Sequence, residues 1–194
     1  MDTFTLKIIF MIFFVMTGVI RYPHEKRQKK NEIIGGKKAG LENILLAGAF
    51  LGMMILPLLY VFTPLFEFAD YQLPSWVSIL GLVMIPLALW LFYRSHNDLG
   101  LNWSPSLEVR SGHSLVTRGV YQYVRHPMYT SIWIWCLIQA LLLHNYIGGL
   151  SGLVFFGLLY CLRVGREEDM MVDQFGEEYQ AYMKKTGRLL PKVG

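Results

Sequence analysis

The sequence predicts an all-α, polytopic integral membrane protein: five transmembrane helices followed by a helical extension on the cytosolic side. Three observations lead there. Of 194 residues, 54% are hydrophobic and 16% charged, against roughly 25% charged in an ordinary soluble domain. Uncharged stretches of membrane-spanning length recur along the chain. All but one of the 18 Lys and Arg, which give a net charge of +4 and a pI near 9.0, fall in alternate connections. This composition excludes a disordered chain. The length suits a single domain over residues 1–194.

The first span covers about residues 3–20, an apolar run in which Lys7 is expected to snorkel to the interface. A signal peptide is excluded because the charges follow the apolar stretch and no small-residue cleavage site appears. Spans two and three, residues 44–66 and 71–93, contain no charge. Pro57, Pro64 and Pro86 lie inside them, as neighbouring helices in a membrane allow. Residues 127–162 are again uncharged and are broken by His144-Asn145-Tyr146-Ile147-Gly148-Gly149. That reads as spans four and five, 127–143 and 150–162, joined by a tight turn. Cys136 and Cys161, each inside an apolar run, read as small packing residues, and no Cys/His spacing offers a metal site.

Lys and Arg in the connections set the orientation. Residues 21–43 hold seven, residues 94–126 four and residues 163–194 six, so 17 of the 18 fall on one side of five alternating spans. The N-terminus is then expected outside and the C-terminus in the cytosol. A basic rim facing anionic lipid accounts for the pI without a nucleic-acid partner.

Chemistry is expected on the two long cytosolic pieces. Residues 94–126 are too long for a plain connector and carry Asn97, Asn102, Trp103, His113 and Tyr121 before Arg125-His126-Pro127. Pro127 suits the first turn of a helix, which stands Arg125 and His126 at the membrane mouth of span four with Tyr129 just inside. A snorkelling, aromatic interfacial belt is the plainer reading of these residues. In the tail, Arg163 and Glu167 share a helix face four residues apart. Charges just past a span point to a cavity or a partner, with a mutual salt bridge the plainer reading. Met171, Phe175, Tyr179 and Tyr182 then recur at helical spacing, so span five continues as an amphipathic helix packed on the bundle, with Gly187 and Pro191 as stop signals.

These residues carry a resemblance. His113-Ser114-Leu115-Val116-Thr117-Arg118-Gly119-Val120-Tyr121 followed by Arg125-His126-Pro127-Met128-Tyr129 resembles a motif of the isoprenylcysteine carboxyl methyltransferases. Arg163, Glu167-Glu168 and Phe175-Gly176-Glu177-Glu178-Tyr179 resemble that family's closing motif. The likeness covers the C-terminal half. Its Arg-His-Pro-x-Tyr core is shared with phospholipid N-methyltransferases and, more loosely, with sterol reductases. Ser131 stands where the family has Gly, and Met171 where Leu is usual; both keep the size class.

The resemblance implies transfer of a methyl group from S-adenosylmethionine to the free carboxylate of a prenylated C-terminal cysteine, leaving S-adenosylhomocysteine. Arg163 would bind the substrate carboxylate and Glu167 the cofactor, these two being the catalytic pair. Cofactor contacts would come from His113, Ser114, Leu115, Val116, Tyr121, His126, Pro127, Met128, Tyr129 and Glu167. Backbone groups at the start of span four would face the cofactor's carboxylate. There is no strand–GxGxxG–helix unit, so membrane helices and the tail must build the pocket. A carboxylate of pKa ~3.5 is already ionised at neutral pH, so no general base is needed. A lipid substrate and a water-soluble cofactor call for a lateral gap between spans and a cover formed by the tail. Membrane lipids are the other expected partners; metal and nucleic acid are not expected. Phospholipid N-methylation of phosphatidylethanolamine-type amines is the alternative reading, and an NADPH-dependent sterol-type reductase or a non-enzymatic channel are more distant ones. The host membrane is expected to be a prokaryotic plasma membrane or the endoplasmic reticulum.

Overall fold

The computed structural model describes residues 1–28, 33–35, 40–102, 109–110 and 114–192. Its helices are α1 (Thr3–Gln28), α2 (Gly40–Phe50), a π turn (Leu51–Ile55), α3 (Leu56–Phe62), α4 (Ser75–Leu99), α5 (Pro127–Leu142) and α6 (Ser151–Lys185). Two short antiparallel strands, β1 (Ile33–Gly35) and β2 (Val109–Arg110), join the first long connection to the second. Helical and apolar periodicity does not register strands this short, so the molecule is helical with one small addition.

Thr3–Arg27, Gly40–Phe62 and Ser75–Leu99 are long and apolar enough to cross a membrane, while Pro127–Leu142 is apolar but shorter. The apolar start of α6 runs directly into a charged half. Large apolar side chains face outward on most of these helices, among them Phe4, Val19, Ile44, Phe62, Val83 and Val154. Water would not stabilise such a surface, whereas lipid tails solvate it. The protein is an integral membrane protein.

Helix ends depart from the uncharged stretches, for local reasons. The second span occupies 40–62 instead of 44–66: Thr63 leaves the helical region and its hydroxyl donates to Leu59 O (2.6 Å), closing α3 ahead of Pro64. The third runs 75–99 instead of 71–93. It starts after Pro74, and its last two turns carry Arg94, His96 and Asp98, so the expected loop begins as helix. Lys7 does not snorkel outward. Its ammonium donates to Tyr60 O (3.0 Å), a last-turn carbonyl of α3, and lies 4.0 Å from the Tyr60 ring centre.

α5 lies at the centre, packed along α4 and α6. Trp135 meets Phe10 and Phe13 of α1 at ring distances of 5.8 and 5.9 Å, and Ile138, Leu142, Phe156 and Leu159 complete the core. Cys136 is buried there as expected, but Cys161 is exposed on the outer face of α6 and is not a packing residue. A polar knot ties three helices. The Gln139 amide donates to Gly52 O (3.1 Å) and Gly148 O (2.7 Å), and Ser151 Oγ also donates to Gly52 O (2.6 Å). A Cβ on Gly52 would stand 2.6 Å from Ser151 O, so the π turn brings this backbone close enough to α6 to be shared.

α6 continues past the apolar stretch to Lys185, as its periodicity predicts, but it breaks inside the Phe-Gly-Glu-Glu-Tyr motif. Gly176 sits at φ 52°, ψ −126°, a conformation that favours glycine. After Thr186 the chain turns back and lies beside the mouth of α5, with Val124 and Gly187 paired as a parallel bridge.

Candidate active site

Pro127 is the first residue of α5, where its missing N–H is not needed. That leaves His126 as the buried N-cap residue, with its ring 5.4 Å from that of Tyr129 and tilted from it by 19°. His126 Nε2 is 3.1 Å from Glu168 Oε1 and Nδ1 is 3.8 Å from Glu167 Oε1. The Tyr129 hydroxyl donates to Glu167 Oε2 (2.5 Å). One histidine therefore touches both carboxylates of the Glu-Glu pair.

Arg163 is 7% exposed and faces carboxylates from two helices. Its Nε is 3.6 Å from Glu167 Oε2, one turn on, and its Nη1 is 3.8 Å from Glu42 Oε1 at the start of α2. Glu168 is more deeply embedded. Arg125 Nε donates to it at 3.0 Å and Arg188 Nε at 3.1 Å, beside His126. Burial alone would raise the Glu168 carboxyl, but the hydrogen bonds from His126, Arg188 and Arg125 outweigh it and hold the group well below the usual carboxylate range.

The returning tail completes the mouth. Arg125 N–H donates to Gly187 O (2.9 Å), His126 N–H to Arg188 O (3.0 Å) and Thr130 Oγ1 to Leu189 O (2.7 Å). Arg125 also reaches Met183 O (3.2 Å) and Thr186 O, and the Tyr182 hydroxyl donates to Tyr121 O and to Val124 O. Burial pushes the Tyr182 phenol up to about 12 and Tyr121 well above the usual range, so both remain neutral donors. On the other side, Asp98 Oδ2 accepts the Val120 N–H (2.9 Å) while Arg94 pairs with the same carboxylate. A Cβ on Gly119 would stand 2.1 Å from that oxygen, and φ is 64° there, so this turn needs glycine. Tyr121 donates its hydroxyl to Ser95 O (3.3 Å), and Asn102 Oδ1 accepts the Ser114 N–H (3.1 Å).

These groups surround one cavity of about 540 Å³. Of the residues the sequence singles out, Ser114, Leu115, Val116 and Tyr121 form one wall of it. His126, Met128 and Tyr129 form the second, and Arg163 and Glu167 the third. Pro127 is buried behind the wall and does not line it. His113 and Trp103 lie outside the described residues. The apolar end of the same cavity is lined by Phe14 and Gly18 of α1, Leu46 and Ala49 of α2, Met53 of the π turn and Trp135 of α5. α1 packs on α4 and α5, α2 packs on α6, and the apolar end lies between α1 and α2. Such a space can hold a cation beside Glu167, an anion beside Arg163 and a hydrocarbon chain between the helices.

Residues 80–173 match the model of the isoprenylcysteine carboxyl methyltransferase (ICMT) family. Over that segment, just under half of its length, the chain is similar to the family. Protein-S-isoprenylcysteine O-methyltransferase B of Arabidopsis thaliana is 28% identical over 163 residues, 83% of each chain. The human protein-S-isoprenylcysteine O-methyltransferase is 32% identical over 121 residues, 61% of this chain and 43% of that one. In three dimensions the chain is similar to the eukaryotic intramembrane Ras methyltransferase ICMT. The TM-score is 0.52 at 25% identity, over 81% of this chain and 55% of the other. The chain thus spans about half the length of that structure and less than half of the human relative.

Within residues 80–173, which match the family model, Asp98 and Glu168 are site-building residues that the motif reading leaves without a role. Glu168 had a signal, since a second acidic residue beside Glu167 falls on the opposite side of His126. Glu42 and Arg188 lie outside residues 80–173. Glu42 is a single charge just ahead of a long uncharged stretch, and only the packing of α2 on α6 links it to Arg163.

Proposed function

We propose that the protein transfers a methyl group from S-adenosylmethionine to the C-terminal carboxylate of a prenylated cysteine, giving a methyl ester. The observation that carries this reading is the single cavity that joins the Arg163–Glu167 end to an apolar end between α1 and α2. The relatives' names supply the acceptor class, and the cavity has the corresponding polarity at each end.

The residues fit the methyl donor. A sulfonium cation carrying amino, carboxylate and hydroxyl groups needs a carboxylate and several neutral hydrogen-bonding groups, and Glu167, Asn102 and Ser114 offer both kinds around the one cavity. When bound, the donor supplies the methyl group and a neutral thioether leaving group. Glu167, held by Tyr129 and flanked by His126, fixes the donor's position. Ser114, Leu115, Val116, Tyr121 and Met128 exclude water around it. Arg163 holds the acceptor carboxylate as a planar fork suited to two oxygens. His126 serves as a binding and orienting residue, because an ionised carboxylate has no proton to lose. The acceleration then comes mainly from holding two oppositely charged groups in line. The domain spans the whole chain, with the N-terminus outside and the cofactor end of the cavity on the cytosolic, Lys/Arg-rich side. The tail covers that end, and the lipid enters between α1 and α2.

The deciding experiment incubates the purified full chain with methyl-labelled S-adenosylmethionine and either an N-acetyl-S-farnesylcysteine acceptor or phosphatidylethanolamine. Base-labile label on the farnesyl acceptor is the expected result. Base-stable label on the phospholipid instead would replace this reading with amine methylation.

A further inference from the structure

We propose that Asp98 is a positioning residue for the methyl donor: through the Val120 N–H it fixes where residues 114–121 stand against α4, and so how well that wall of the cavity fits S-adenosylmethionine. This rests on the methyltransferase reading above and gives a role in it to a residue that lies in none of the matching motifs.

Asp98 stands in the last turn of α4. A carboxylate there faces the negative end of the helix dipole, so helix formation alone disfavours it. Arg94, one turn earlier, offsets part of that cost at 3.2 Å. Such a pair is ordinarily an exposed one that contributes little, but its two halves differ. The Arg94 side chain is 41% exposed and that of Asp98 10%. Asp98 is buried against the short turn of helix before α5, Gly119–Gln122. Its Oδ2 accepts the Val120 N–H at 2.9 Å, and Val120 is itself buried. Gly119, at φ 64°, lies so close that a Cβ would overlap the carboxylate. Backbone and carboxylate thus meet with no room for either to slide.

The wall is held from two sides. On the tail side, the Tyr182 hydroxyl donates to Tyr121 O and Val124 O, at the downstream end of the segment. On the α4 side, Tyr121 donates its hydroxyl to Ser95 O, Asp98 accepts the Val120 N–H and Asn102 accepts the Ser114 N–H. The Asn102–Ser114 bond is exposed, so water can replace it. The Asp98–Val120 bond is partly buried. Removing this carboxylate leaves the N–H of a buried residue without its acceptor, and such an unpaired group costs more than the bond itself contributes. The segment escapes that cost by shifting toward water, which carries Ser114, Leu115 and Val116 away from the cavity they line. Arg163 and the apolar end belong to other elements, so the acceptor's side of the cavity is left as it was.

The test compares the purified full chain in detergent with its Asp98→Ala and Asp98→Asn variants. Titrations with S-adenosylhomocysteine and with N-acetyl-S-farnesylcysteine are set beside amide hydrogen exchange across residues 114–121, and thermal unfolding shows that each variant folds. Asp98→Ala should bind S-adenosylhomocysteine about tenfold more weakly, the scale of one hydrogen bond to a charged group, with farnesyl-acid affinity unchanged. Its amides across 114–121 should exchange about tenfold faster. Asp98→Asn keeps an oxygen for the Val120 N–H and should recover most of both losses. A folded Asp98→Ala protein with wild-type S-adenosylhomocysteine affinity overturns the inference, as does an equal loss for the two ligands or an Asn variant no better than the Ala one. Wild-type protein that binds no S-adenosylhomocysteine, with the exchange difference still present, would instead overturn the reading beneath it.

Discussion

Arg163 is 7% exposed, so in the proposed role it would hold an acceptor carboxylate more strongly than a surface arginine could. Arg163→Ala should lower kcat/KM by about a hundredfold or more, the scale of a lost charge-stabilising donor. In the same assay S-adenosylhomocysteine affinity should be nearly unchanged. Glu167→Gln should show the reverse split, with the larger loss in donor affinity measured by calorimetry. Glu168 belongs to stability. Its carboxyl is held low by His126, Arg188 and Arg125, so its stabilisation is complete above the unfolded-state value near 4.3 and drains away as pH falls below it. Glu168→Gln should destabilise by about 3–5 kcal/mol at pH 7, as expected for a broken buried pair. Its unfolding temperature should also fall less between pH 5 and 3.5 than that of wild type, as thermal scans in detergent would show.

Among the elements, the tail after α6 is held by backbone. Three carbonyls, those of Gly187, Arg188 and Leu189, accept from Arg125, His126 and Thr130. Deleting residues 186–192 removes these acceptors and the Arg188–Glu168 pair together. The deletion protein should lose donor binding while its helix content by circular dichroism barely changes. The kink at Gly176 aims Tyr179 and Tyr182 back at the loop before α5. With φ at 52° and ψ at −126°, Gly176→Ala should cost about 1–3 kcal/mol and weaken donor binding in the same titration. A helix read from periodicity alone continues through this point, because Met171, Phe175, Tyr179 and Tyr182 keep helical spacing on either side. The glycine in the motif was visible, but its dihedral angles were not. The π turn at Leu51–Ile55 was hidden for a similar reason, since it depends on Ser151 and Gln139, far away in sequence.

For the whole molecule, hydropathy carried the helices and lost their ends. Apolar runs say where lipid can lie, whereas Thr63, Pro74 and the polar last turns of α4 determine where hydrogen bonding stops. The candidate site was legible wherever its residues are close in sequence, as with His126, Tyr129, Arg163 and Glu167. It was illegible where two distant elements supply one charge each, as with Glu42 and Arg188. The proposed orientation has its own check. In a background with Cys136 and Cys161 replaced by Ser, a single cysteine at Asp173 should react with a membrane-impermeant maleimide only in inside-out vesicles. One at Phe68 should react only from outside.

The proposed entry of the acceptor between α1 and α2 also determines which concentration counts. An acceptor that enters sideways from the bilayer is sampled per unit of membrane area, while the donor is sampled per unit of aqueous volume. Adding inert lipid at fixed total acceptor should therefore slow turnover, although nothing in the tube has become more dilute in the ordinary sense. Rates would collapse onto one curve when plotted against the acceptor's mole fraction in lipid. In a cell, crowding of prenylated chains into a patch of membrane would drive the reaction as effectively as making more of them.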